Sequence, residues 1–283
     1  MADASVNTAP TIALLTDFGW NDPYVGQMRG VLRALAPEAE VIDLSHGVPA
    51  YRAETGAFFL ASAFRYFPAG TVFMAVVDPW VGTQKRDILV LSGGGATFVG
   101  PDNGILSLVA ESLDAAGEKA QAWRLKTNPA PYVQPTGLTF AGRDIMAPLA
   151  ARLCRGEPPG EFAEPVAPKA MLRPIWVMPE RTPEGILASV LHVDHFGNVI
   201  LNLANETWAE TMAAADVWLM ISSAGAQAAL QLNVAPAYVE LPPGKPGLVP
   251  GGQGYLELAM YRASAADELR RKTGDMGHLG ISG

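Results

Sequence analysis

The chain has 283 residues, of which 49% are hydrophobic and 17% are charged, and its formal net charge is −8. This length and apolar content suffice for one large core or two smaller ones, and they exclude an intrinsically disordered chain. The negative charge argues against a nucleic-acid partner, which requires a basic face, and it is compatible with a cationic or a neutral ligand.

The composition also limits the compartment and the possible metal sites. The single cysteine, Cys154, rules out an internal disulfide and a zinc site built from cysteines, and we interpret it as a core residue. The start, MADASVNTAP, does not resemble a signal peptide, and no apolar run reaches the roughly 18 residues that span a membrane. The four histidines show no metal-ligand spacing and are interpreted as loop or core residues. We therefore expect a soluble cytoplasmic protein with no metal and no membrane partner.

In chain order, the first half alternates short apolar runs with amphipathic stretches, which predicts an α/β domain with a mostly parallel sheet. The predicted strands are residues 11–15, 41–44, 72–77 and 88–91, with 97–99 as the hairpin partner of the last. The predicted helices are residues 24–35, 53–67, 105–113 and 145–153.

The sequence pattern changes in the second half of the chain, where short β-type runs follow one another with few helical patterns between them. The stretch 156–183 is dense in proline and is interpreted as the connection. We predict an N-terminal α/β domain over 1–170, a linker over 171–185, and a smaller all-β, barrel-like domain over 186–283. The β-type runs are residues 186–193, 199–203, 217–222, 228–232 and 256–260.

Asp78 is the first candidate for chemistry, because it ends the buried apolar run 72–77 and is followed by Pro79. Ligands of open α/β sheets bind at the carboxyl ends of the strands. A buried carboxylate there needs hydrogen bonds or a cation, and Lys85 and Arg86 are close enough in sequence to supply one. The alternative is an Asp-Pro turn beside a solvated basic loop.

Two further acidic loops follow predicted strand ends. Asp17 and Asp22 could accept hydrogen bonds from hydroxyls and an ammonium group, although Asp22 before Pro23 also suits a helix start. A magnesium site is conceivable there, but the sequence places no third carboxylate nearby. The segment 194–198, DHFGN, could grip a flat heterocycle through Phe196 and Asn198, or simply form a hairpin turn. No glycine-rich phosphate loop and no GxSxG motif occur.

Seven stretches occur in a characteristic order: TDFGWNDPYVGQMRGVL, DLSHGVPAYRAETGAFFL, YFPAGTVFMAVVDPWVGT, FVGPDNGIL, TFAGRDIMAPLAARL, VDHFGNVILN and QGYLELAM. Together they resemble the S-adenosylmethionine hydroxide adenosyltransferase family, which is related to fluorinase and chlorinase enzymes. The resemblance implies a homotrimer that holds S-adenosylmethionine between one subunit's N-terminal domain and its neighbour's C-terminal domain. It further implies displacement of methionine at the ribose C5′ by water or halide, without a cofactor.

The resemblance also assigns roles to residues of this chain. Asp17 would hold the ribose hydroxyls, and Tyr51 would flank the ribose. Asp22 and Asp194 would bind the methionine ammonium. The remaining substrate-binding positions are Phe140, the adenine-framing set Phe196, Asn198 and Tyr238, and the loop Gly252 and Gln253, where the family binds the methionine carboxylate.

The chain departs from the family where the nucleophile is handled. Water-using members employ an Asp, an Arg and a His; Asp78 matches the Asp, Lys85 stands at the Arg with Arg86 beside it, and Ala141 stands at the His. Lysine does not reproduce the planar guanidinium fork, and a lost acid–base group typically costs about 10²–10⁴-fold in rate. Trp80 occupies a position where glycine is usual.

Three functions remain open. The expected one is hydrolysis of S-adenosylmethionine to adenosine and methionine, with altered or reduced activity. The second is adenosyl transfer to another nucleophile such as halide, although halogenating relatives carry a neutral Tyr at the position of Asp78 and a carboxylate would repel halide. The third is an S-adenosylmethionine-binding protein without catalysis.

Overall fold

The computed structural model describes residues 9–81, 83, 87–126, 128–135, 137–183, 185–207, 210–211, 216–223 and 226–282. The chain forms two compact units, Met1–Arg173 and Pro174–Gly283. The first unit contains a seven-stranded sheet in the order β2-β1-β3-β5-β4-β6-β7. Its strands are β1 (Thr11–Thr16), β2 (Glu40–Ser45), β3 (Val72–Val76), β4 (Ile88–Gly93), β5 (Ala96–Pro101), β6 (Gln121–Leu125) and β7 (Ala163–Val166).

Helices cover both faces of this sheet: α1 (Tyr24–Leu35), α2 (Ala53–Ala63), α3 (Ser107–Ala115) and α4 (Ala147–Cys154). The strand residues alternate between two cores, so that Ile12 and Leu14 belong to one cluster and Ala13 and Leu15 to the other. A strand buried on both faces reads as a continuous apolar run, which is why the sequence predicted β1 and β3 correctly.

The mixed α/β class is confirmed, with parallel and antiparallel parts in one sheet. The strands β2, β1, β3 and β5 are parallel neighbours, whereas β4, β6 and β7 are joined by antiparallel pairing. The predicted hairpin is present between β4 and β5, and its turn uses Gly94 and Gly95 at φ 59° and 77°. Two consecutive left-handed residues form the tight turn that suits a twisted hairpin, and glycine adopts them without strain.

The proline-dense stretch 156–183 is not a featureless connection, and in this respect the interpretation was wrong. It contributes β7 to the first sheet and β8 (Glu180–Thr182) to the second. β7 lies at the end of the strand order, where Pro165 can be accommodated because an edge strand leaves some backbone groups unpaired. β6 was also not predicted, because its sequence QAWRL mixes polar and apolar residues.

The second unit has one nearly closed, barrel-like sheet of nine strands and few helices, as expected. One apolar cluster of its buried residues includes Val190, Leu201, Leu219 and Leu258, and a smaller one contains Ala235, Leu241, Val249 and Ala259. Besides β8 it contains β9 (Gly185–Val193), β10 (Val199–Ala204), β11 (Asp216–Ser223), β12 (Ala226–Gln231), β13 (Asn233–Val234), β14 (Gly247–Pro250), β15 (Tyr255–Ala259), β16 (Met276–Ser282) and the short helix α5 (Ala265–Leu269).

Phe98 provides a test of the first core. Its ring is fully buried and stacks on Phe73 at 5.1 Å between ring centroids and an interplanar angle of 17°. We expect Phe98→Ala to lower the free energy of unfolding by about 3–5 kcal/mol, through lost burial and an unfilled cavity. Urea denaturation measures the change, and Tyr66→Ala, at a side chain that is 83% exposed, should change stability by only about 0.5 kcal/mol. Equal losses in both variants would contradict this account of the core.

Candidate functional site

A pocket of about 630 Å³ lies in the first unit, at the carboxyl ends of the parallel strands. β1 and β3 are adjacent and in register, with Thr16 opposite Val76, so the loops that follow them leave the sheet side by side. Asp17 comes directly after β1, Asp78 follows β3, and both line this pocket. The structure therefore brings together the two carboxylates that the sequence singled out separately.

Asp17 is half-buried and held by its neighbourhood. Its Oδ2 accepts a hydrogen bond from the backbone N–H of Tyr51 at 2.9 Å. Burial raises the pKa of Asp17 above its usual value, whereas the backbone N–H groups of Tyr51 and of Asp17 itself lower it and the charge of Asp78 raises it. Tyr51 adopts a left-handed backbone at φ 67°, and such strain in a non-glycine residue persists only where its surroundings hold it. The result is a partly desolvated carboxylate in a defined orientation.

Asp78 is positioned from two sides. Its Oδ1 accepts the backbone N–H of Trp80 at 3.0 Å. The preceding carbonyl, that of Val77, accepts a hydrogen bond from the buried Asn103 Nδ2 at 2.6 Å, and Asn103 Oδ1 accepts the N–H of Ile105 at 3.1 Å. The sequence marked Asn103 only as part of a turn, because nothing local shows that its side chain reaches back to β3.

An aromatic wall forms another side of the pocket. Phe18, Tyr24 and Phe140 contact one another with ring centroids 5.3–5.8 Å apart. The guanidinium of Arg143 lies over the Phe140 ring at 4.8 Å and makes a two-pronged ion pair with Asp144. Phe140 was a predicted site residue, but Phe18 and Tyr24 were not, since only the fold brings them to it. Edge-to-face rings of this kind offer an apolar surface for a ring or a methylene chain.

A π-helical turn, Gly142–Met146, leads from this wall into α4. Ala141 immediately precedes the turn, lines the pocket and is 7% exposed. A Cβ on Gly142 would lie 3.0 Å from both Met28 Sδ and Val76 Cγ1, so a larger residue there would require these two core side chains to shift. π-turns inside helices occur frequently at functional sites.

Not every predicted site residue of the first unit that the structure describes lines this pocket. Asp22 is exposed and is not one of the described residues that line it. The alternative prediction, that Asp22 caps helix α1, is wrong. The N-cap residue of α1 is Pro23, and no side chain makes a capping hydrogen bond there. Trp80 is 44% exposed. Lys85 and Arg86 lie outside the described residues.

In the second unit, Asp194 organises the turn between β9 and β10. Its Oδ1 accepts the N–H groups of Phe196 and Asn198 at 2.9 and 2.8 Å, and its Oδ2 accepts Asn198 Nδ2 at 2.9 Å. The hairpin-turn interpretation therefore holds for the backbone. It does not compete with a binding role, because the turn presents the Phe196 ring, which is 75% exposed, to the surroundings.

Tyr238 and a buried carboxylate lie near this turn. The Tyr238 hydroxyl donates to Glu257 Oε2 at 2.6 Å. Burial raises the pKa of Tyr238, and so do this hydrogen bond and the charges of Glu257 and Asp194. Burial likewise raises the pKa of Glu257, the bond from Tyr238 lowers it, and the charge of Asp194 raises it. Glu257 was not predicted, although it lies inside the motif QGYLELAM. Gly252 and Gln253 are exposed in the turn between β14 and β15.

The described part of the chain carries neither a cluster of metal ligands nor a helix that could cross a membrane. No three His, Cys, Asp or Glu side chains come together there as a metal site would require. Within the same residues, no helix combines the length and apolarity needed to cross a bilayer.

The raised pKa of Asp17 leads to a pH dependence of stability. Between the unfolded value near 3.8 and the raised folded value, the native state keeps a proton that the unfolded chain loses, so stability falls as pH rises through that window. Asp17→Asn retains an acceptor for Tyr51 and cannot titrate. We expect the stability of the wild type relative to this variant to fall across the window and then level off, as measured by urea denaturation at a series of pH values. A pH-independent difference would mean that burial does not control this carboxyl.

Comparison with known proteins gives relatives along nearly the whole chain. An (R)-S-adenosyl-L-methionine hydrolase of Salinispora arenicola is 42% identical over 194 residues, covering 69% of this chain and 72% of the relative. An (R)-S-adenosyl-L-methionine hydrolase of Thermus thermophilus is 35% identical over 266 residues, covering 93% and 96%. The crystal structure of an uncharacterised conserved protein from Thermotoga maritima superposes with a TM-score of 0.79 at 30% identity, covering 96% of this chain and 100% of the other.

Two family models match consecutive parts of the chain. The model of the S-adenosylmethionine hydroxide adenosyltransferase N-terminal domain covers residues 12–163, which include both pocket carboxylates. The model of the C-terminal domain covers residues 188–277, which include Asp194, Tyr238 and Glu257. The chain belongs to the S-adenosylmethionine hydroxide adenosyltransferase family.

Proposed function

We propose that this protein hydrolyses S-adenosylmethionine at the ribose C5′ to give adenosine and L-methionine. The observation that carries the proposal is the pocket in which Asp17 and Asp78 meet at the ends of adjacent strands beside an aromatic wall. The substrate is a sulfonium cation, and a pocket with two carboxylates attracts it electrostatically. The names of the relatives support the same reaction and suggest the R configuration at sulfur.

In this proposal Asp17 accepts hydrogen bonds from the ribose hydroxyls. A half-buried carboxylate suits this task, because hydrogen bonds that involve a charged group are stronger than neutral ones. Tyr51, whose backbone N–H is held by Asp17, flanks the ribose with its exposed ring. Phe140 and its aromatic neighbours contribute apolar contact to the substrate.

The second unit would supply the remaining contacts from a neighbouring copy in a homotrimer. Phe196 presents an exposed ring for stacking on adenine, and Asn198 and Tyr238 lie on the same unit to frame it. Asp194 from this unit, with Asp22 from the other copy, would hold the methionine ammonium. Gly252 and Gln253 would offer an exposed turn to the methionine carboxylate.

The reaction requires little acid–base catalysis from the protein. Water attacks C5′ as the C5′–sulfur bond breaks, methionine leaves as a neutral thioether, and one proton is released from the attacking water. Asp78 would orient this water and receive its proton, while Lys85 or Arg86 would balance the carboxylate charge. The main contribution is alignment of the nucleophile with the C5′–sulfur bond in a partly dehydrated pocket.

Product analysis tests this function. The purified protein is incubated at neutral pH with each sulfonium epimer of S-adenosylmethionine, with and without chloride, and the products are identified by mass spectrometry. We expect the R epimer to give adenosine and methionine both with and without chloride. We expect the Asp17→Ala variant neither to bind nor to turn over S-adenosylmethionine. Chloride-dependent 5′-chloro-5′-deoxyadenosine would instead assign halide transfer, and tight binding without any product would assign a binding protein.

Ala141 allows a second prediction about the reaction. Because a histidine at this pocket position would add a group that can orient or deprotonate water, we expect Ala141→His to raise the rate of adenosine formation, by up to about 10²-fold. Steady-state kinetics measures kcat, and calorimetric binding of adenosine verifies that the pocket is intact. Unchanged kcat with intact binding would contradict the proposed use of water as the nucleophile.

A further inference from the structure

A line of polar side chains runs behind the pocket, from the surface to the loop that carries Asp17. The Arg29 guanidinium pairs with Asp43 Oδ2 at the surface end. Asp43 Oδ1 lies 3.2 Å from His46 Nε2, and His46 Nδ1 lies 2.8 Å from Thr16 Oγ1. His46 and Thr16 are almost completely buried, at 1% and 0% exposed. From the sequence alone, His46 was interpreted only as a loop or core histidine.

The donor and acceptor chemistry of the side chains sets the direction of each contact along this line. A carboxylate only accepts, so the ring nitrogen that faces Asp43 carries the proton, and the other nitrogen accepts from the Thr16 hydroxyl. The Nε2–H is not aimed well enough at Asp43 for a hydrogen bond, so this contact is a charge–dipole attraction. The Thr16 oxygen can then accept the backbone N–H of Phe18, from which it lies 3.2 Å.

The contacts of this line fix the backbone on both sides of Asp17. Thr16 precedes Asp17 and, through its hydroxyl, fixes the N–H of Phe18 that follows it. The His46 carbonyl accepts the N–H of Gly19 at 2.8 Å, which fixes the loop one residue further on. The side chain and the backbone of one buried histidine thus hold the short segment 16–19 that aims the carboxylate into the pocket.

We infer that His46 is a positioning residue for ribose recognition, acting through Thr16 on the orientation of Asp17. The inference rests on the proposed function, since it concerns how the substrate's ribose is held. It adds that the specificity for ribose hydroxyls is set behind the pocket, by a histidine that never touches the substrate. If the Asp17 carboxylate pointed in another direction, the pocket would still be present. The protein would, however, lose its preference for a ribose that carries both hydroxyls.

The test compares adenosine with 2′-deoxyadenosine and 3′-deoxyadenosine as ligands of the full-length protein. Calorimetry gives the three dissociation constants for the wild type, His46→Leu and Thr16→Val. We expect the wild type to bind adenosine about 10-fold or more tightly than the weaker deoxy analogue, because an acceptor on the protein loses its hydroxyl donor. In both variants this ratio should fall to about threefold or less. Valine has nearly the shape of threonine, so Thr16→Val carries the test if His46→Leu does not fold.

Thr71→Val is the matched control. Thr71 is equally buried, and its hydroxyl donates to the Pro68 carbonyl at 2.7 Å, at the opposite end of β3. It should lose comparable stability and keep the wild-type ratio, which separates a positioning role from general destabilisation. A ratio preserved in folded Thr16→Val would overturn the inference and leave the proposed function standing. A wild type that does not bind adenosine would overturn both.

Discussion

The parallel pairing of β1 with both β2 and β3 is the constraint on which the candidate site depends. In this register Leu15 lies opposite Ser45 and Thr16 opposite Val76, so three chain segments leave the same edge of the sheet. One carries Asp17, one carries His46 and the strained Tyr51, and one carries Asp78. The shared edge brings Asp17, Tyr51 and Asp78 to one pocket and places His46 behind it.

This dependence explains how much of the site the sequence could predict. A strand buried on both faces is a continuous apolar run, and the first charged residue after it marks the edge where ligands bind. Asp17 and Asp78 were found by this rule from the residues alone, and the family resemblance then supplied roles for them. The helix α1 was predicted residue for residue, because its apolar spacing and the proline after it are both local signals.

The remaining parts depend on contacts between residues distant in the sequence. Asn103 holds the end of β3 across 26 positions, and the Phe18–Phe140 contact joins segments more than a hundred residues apart. No local pattern reveals such pairs. The high density of prolines suggested a linker in the region where β7 completes the sheet. An edge strand tolerates proline as a linker does, so the number of prolines does not distinguish an edge strand from a linker. In the second unit, Glu257 is a strand residue whose importance comes from burial, which a sequence pattern does not show.

The π-turn before α4 has a consequence for how this pocket can be altered. A wider turn takes up one additional residue, so the segment that forms the pocket wall and the helix that packs in the core follow separate registers. The buried face of α4, with Leu149 and Ala150, packs in the core, whereas the side chain at position 141 lines the pocket. Substitutions at residue 141 would therefore change the space available to the nucleophile from the pocket side, whereas a side chain at Gly142 would press on Met28 and Val76 in the core.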